Sequence, residues 1–118
     1  MEVKTIKIPE IAKKPFQLLT TNRNIMRMQQ YQLAVLKVGE DVGEEDVAGQ
    51  TQASLAVLEE MLSFIRIILN LDDEAYEKLL DMPNDRTQEV VNKLVGYLYG
   101  LSDEDMAEAD VENPKEEA

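Results

Sequence analysis

The sequence contains no cysteine and no histidine. The first absence excludes disulfides and thiolate chemistry. The second removes the usual general base, the usual switch near neutral pH and the commonest transition-metal ligand. Tryptophan is absent, and the aromatics reduce to Phe16, Tyr31, Phe64, Tyr76, Tyr97 and Tyr99. No glycine-rich phosphate loop follows a strand. Long apolar runs are missing too. The most apolar stretch is broken by Glu59, Glu60 and Arg66, whereas a membrane-spanning helix needs roughly 20 apolar residues with few or no charges. The first ten residues, MEVKTIKIPE, lack the apolar core of a signal peptide. A soluble, cytoplasmic protein is expected, without cofactor or metal and with no membrane or nucleic-acid partner.

The carboxylates and hydroxyls that remain are not arranged for catalysis. Glu59 and Glu60 are adjacent, so they point to different sides of a helix and form no dyad. Asp72, Asp73 and Glu74 have the order of a helix cap and first turn. The acidic stretch 38–46, VGEDVGEED, lacks the ligand spacing of a calcium loop. No enzyme is expected.

What is present is acid, unevenly placed. The formal net charge is −12. Residues 1–37 carry seven basic and two acidic groups, residues 38–101 four basic and fourteen acidic, and residues 102–118 one basic and eight acidic. The asymmetry argues against a nucleic-acid surface, which needs a basic face. It fits self-association in which the basic beginning of one copy meets an acidic surface of the next.

Residues 51–71, TQASLAVLEEMLSFIRIILNL, organise the rest. Leu58, Met61, Leu62, Ile65, Ile68 and Leu69 recur at helical spacing, and Val57, Phe64, Ile67 and Leu71 widen that face. Only Glu59, Ser63, Arg66 and Asn70 form a polar stripe. A helix this apolar predicts the centre of a small bundle. Around it the pattern places helices over about 22–37, 73–81 and 86–99. Thr20, Thr21 and Asn22 offer a cap to the first of these helices, and Asp72 to the second. Tyr76, Leu79 and Leu80 are inward-facing in that second helix. Asp85 with Gln88 has the form of a capping box, and Gly100 of a left-handed stop.

At the N-terminus, VKTIKI is rich in β-branched residues and stopped by Pro9. It reads as a short strand or extended arm with no partner strand in the chain, left to pack on the bundle or pair with another copy. The alternative is a loosely held terminus. Residues 102–118, SDEDMAEADVENPKEEA, offer almost nothing to bury. The expected protein is mainly α: an arm over 1–19, a small four-helix bundle-like domain over 20–101 and a disordered acidic tail over 102–118.

The order of parts resembles the tail assembly chaperones of long-tailed, siphovirus-type bacteriophages of Gram-positive hosts. The similarity lies in the Lys-containing strand VKTIKI, the Pro-Phe segment PFQLLTTNRNIM, the helical body and the acidic end. It implies a non-enzymatic, self-associating, mostly α-helical protein. Such a protein coats the tape measure protein in the host cytoplasm and is absent from the mature virion. It also implies a longer, frameshifted form that recruits tail tube protein, and Pro114-Lys115 is compatible with a slippery codon run.

The expected self-association residues are Lys4, Ile6, Lys7, Ile8, Phe16 and Leu19. The expected partner groove is Phe64, Arg66, Ile67 and Leu71, the surplus of the central helix. The rival readings are an acidic DNA-mimic inhibitor, which would need its acids in ordered rows on the body, and a small regulatory adaptor.

Overall fold

The structure is a computed structural model that describes residues 3–40 and 42–105. Of the expected disordered tail over 102–118, residues 106–118 lie outside the described residues. The elements are β1 (Val3–Ile6), β2 (Phe16–Leu19), α1 (Asn22–Val38), α2 (Val47–Leu69), α3 (Asp73–Leu80) and α4 (Asn84–Leu98). The fold is mainly helical, as the periodicity predicts.

The expectation that the arm lacks a partner strand is overturned. β1 pairs antiparallel with β2, from Val3 opposite Leu19 to Ile6 opposite Phe16. The turn between them is anchored, because the Ile11 and Ala12 amides donate to the Ile8 carbonyl. Ile6, Ile8, Ile11 and Leu18 sink into the same core as the helices. The N-terminal region is therefore a hairpin fastened to the body.

α2 lies at the centre of the helices, packed against α1, α3, α4 and β2. It is longer at its start than the pattern predicts, beginning at Val47 instead of residue 51. Asp46 caps it by accepting from the Gly49 amide at 2.9 Å. A side chain at Gly49 would collide with the capping carboxylate, so this glycine serves the first turn instead of breaking the helix. The other end closes at Asn70, which takes the left-handed conformation (φ 55°). The Leu71 amide then donates to the Arg66 carbonyl at 3.0 Å, the closure that turns the next residue inward.

The remaining helix ends follow their local chemistry. Thr21 caps α1 and Asp72 caps α3. Gly100, at φ 91°, ends α4. The expected capping box of Asp85 and Gln88 does not form. α4 begins earlier, with Pro83 at the cap position and no side-chain cap bond, and Gln88 bonds Asn84 instead. Leu80, expected inward, is exposed, whereas Leu79 is buried. Past α4, residues 103–105 begin a helical turn in which Ser102 and Asp105 bond each other's backbone amides.

Arg86 fastens the hairpin to α4. Its Nε donates to Glu10 Oε2 at 2.7 Å, its Nη2 to the Lys7 carbonyl at 3.2 Å and its Nη1 to Glu89 at 3.4 Å. The hydrogen bond from Arg86 holds the Glu10 carboxyl below its ordinary value of 4.5. A carboxylate whose folded pKa is depressed adds stability above its unfolded pKa and loses it as pH falls through the folded value. The melting temperature of the wild-type chain should thus fall more steeply below about pH 5 than that of Glu10→Gln. Parallel slopes in thermal melts across that range would remove the pair from the pH response.

Candidate interaction surfaces

The hairpin residues separate by burial. Ile6 and Ile8 are enclosed, and Phe16 packs against the core. Lys4 lies with its ammonium 5.6 Å from the centre of the Tyr97 ring. Lys7 and Leu19 remain exposed. Tyr97 itself is buried, and its hydroxyl donates to Asp103. Burial, with that carboxylate beside it, pushes the phenol up to about 12. The first residues after α4 are thereby tied back to the strand that opens the chain.

The expected groove on α2 is largely filled by the chain itself. Phe64 is buried and stacks on Tyr31, with ring centres 4.6 Å apart and planes 14° apart. Leu71 is buried. Arg66 donates to Asp73 at 2.5 Å and sits 4.6 Å from the Tyr76 ring centre. Ile67 stays exposed beside a pocket of about 180 Å³ that also holds Arg27 and Glu60. Burial raises the Tyr31 phenol there, with Glu60 adding to it.

A larger groove lies between α1 and α4. It has a volume of about 540 Å³ and is walled by Gln32, Val35 and Leu36 of α1 and by Val91, Asn92 and Val95 of α4. The Tyr99 hydroxyl donates to Gln32 Oε1 at 2.8 Å. None of its lining residues is charged. Sequence reasoning missed it, although a signal was there. Residues 28–36, MQQYQLAVL, form a nine-residue stretch without charge in a chain that is 31% charged.

The chain matches the family described as phage tail assembly chaperone proteins, TAC, over residues 3–113. It belongs to the phage tail assembly chaperone family. No curated protein and no solved structure matches it. A tail assembly chaperone works through protein partners, so its exposed apolar surfaces are the places to look for function. Family membership implies a non-enzymatic role. Among the described residues, no acidic cluster is arranged to hold a metal ion. None of their helices is long and apolar enough to cross a membrane.

Proposed function

We propose that this tail assembly chaperone binds the tape measure protein of a siphovirus-type phage of a Gram-positive host. It keeps that protein soluble in the host cytoplasm until the tail tube polymerises, and it is left out of the finished particle. Several copies act together on one tape measure protein. A longer, frameshifted form that recruits tail tube protein belongs to the same proposal.

The observation that carries the reading is the family match over residues 3–113. The physical chemistry is in keeping with it. Leu33, Leu36, Val47 and Leu55 are exposed on α1 and α2, which gives a client apolar surface to meet. The net charge of −12 keeps a crowded complex apart from its neighbours. Co-expression tests the proposal. Tape measure protein that is insoluble alone should move into the supernatant and co-purify with the chaperone. An unchanged pellet would overturn it.

A further inference from the structure

We infer that the acidic end of the chain, residues 106–118, lies along the outer face of α1 and covers the apolar residues there. The contact is made within one copy and is independent of the proposed client.

The face is a stripe. Arg23, Met26, Gln30, Leu33 and Lys37 are all exposed, and their alternating spacing of three and four places them on one side of the helix. Met26 is 56% exposed and Leu33 58%. Apolar residues repeated along one helix face are ordinarily covered. The charged members of the stripe are both basic, and among the described residues neither Arg23 nor Lys37 is in an ion pair.

Charge selects the occupant. α1 contains no Asp or Glu, whereas α2, α3 and α4 each contain at least two. The α1 of a second copy would set like charge against like: Arg23 against Arg23 if parallel, Arg23 against Lys37 if antiparallel. Residues 106–118, MAEADVENPKEEA, carry five acidic groups and one basic, with Met106 and Val111 as apolar partners. They complement the stripe in both charge and hydropathy.

The chain also approaches from the right place. The Tyr97 hydroxyl donates to Asp103, and the Lys4 ammonium lies over the Tyr97 ring. The Asp105 carboxyl is held below its ordinary value by its bonds to Ser102 and, beyond them, by the charge of Lys4. Lys4 stands opposite Leu18 in the hairpin, and the next carbonyl, that of Leu19, accepts from the Asn24 side chain in the first turn of α1 at 2.8 Å. Residues 106–118 thus set out from the end of the hairpin at which α1 begins. That length of chain spans at most about 43–47 Å, whereas the 17 residues of α1 extend over about 25 Å, so it can reach Lys37. Tethering holds it beside the stripe at roughly millimolar effective concentration, an advantage that a separate acidic segment lacks. A partner that seeks Met26 and Leu33 must first displace it.

The test uses the full chain, whose lack of cysteine lets a chosen pair be introduced cleanly. Ala109→Cys is combined in turn with Gln30→Cys in the stripe and with Glu77→Cys at an exposed position on α3, and disulfide formation is timed under mild oxidant. Circular dichroism and melting of the reduced variants should match wild type. The internally closed monomer should form at least tenfold faster with Gln30→Cys than with Glu77→Cys. Salt at 1 M, which shortens screening to about 3 Å, should remove most of that excess, and so should Arg23→Glu with Lys37→Glu. Equal rates for the two pairs, or an excess that either salt or charge reversal fails to reduce, would overturn the inference. Disulfide-linked dimers in place of closed monomers would also overturn it, by giving the stripe to the acidic end of a second copy.

Discussion

Replacing Phe64 with alanine should destabilise the fold by about 3–5 kcal/mol, the usual cost of deleting a buried aromatic. Phe64 is 4% exposed and lies flat against Tyr31. Truncation loses the transfer free energy of the ring and opens a cavity between α1 and α2. A native domain has about 5–15 kcal/mol in hand, so the variant should be folded only marginally at room temperature. Urea unfolding checks this: the midpoint should fall sharply with little change in slope. Stacking adds about 0.5–1.5 kcal/mol beyond burial, and a double-mutant cycle with Tyr31→Leu should recover a coupling of that order. A variant with wild-type stability and lost client binding would instead return Phe64 to the surface role its sequence pattern gives it.

Ile8→Ala should cost about 2–5 kcal/mol. Ile8 is wholly buried although it lies just past a four-residue strand near the chain start. If the N-terminal region were a free arm, the substitution would be silent. In this fold it removes a side chain that the helices close upon. Val3→Ala, at an exposed position of the same hairpin, should stay within about 0.5 kcal/mol of wild type. The contrast between the two, read by thermal or urea melts, separates a fastened hairpin from an arm.

The elements that were legible in the sequence are those whose cause is local. Thr21, Asp72 and Gly100 specify their helix ends through their own side chain or its absence, and the apolar period of α2 marks it as the core. β2 was illegible because FQLL carries little strand signal of its own. It becomes a strand by pairing with β1, a partner ten or more residues away. The early start of α2 was hidden by Gly49, which reads as a breaker until the Asp46 carboxylate is seen to occupy the space beside it.

The sites were less legible still. Exposure of Ile67 and burial of Phe64 and Leu71 depend on where Tyr31 and β2 come to lie, which no period reveals. The α1–α4 groove depends on how two helices far apart in the sequence come together. Only its uncharged α1 wall was written in consecutive residues.

The fastening of the hairpin also sets an order of events during synthesis. β1 and β2 can pair as soon as residue 19 has emerged, yet Arg86 reaches back 76 residues to Glu10 and Lys78 reaches back 67 to Ile11. A two-stranded hairpin has little stability alone, and the helix packed against β2 is α2, complete only once residue 69 is made. Long-range closures of this kind come late in folding. The apolar face of the hairpin thus stays uncovered at least until α2 has emerged. The groove, which needs α4 for one wall, is completed later still. The Arg86–Glu10 bridge is then the last fastening to form, made by α4 to a hairpin that α2 has already received.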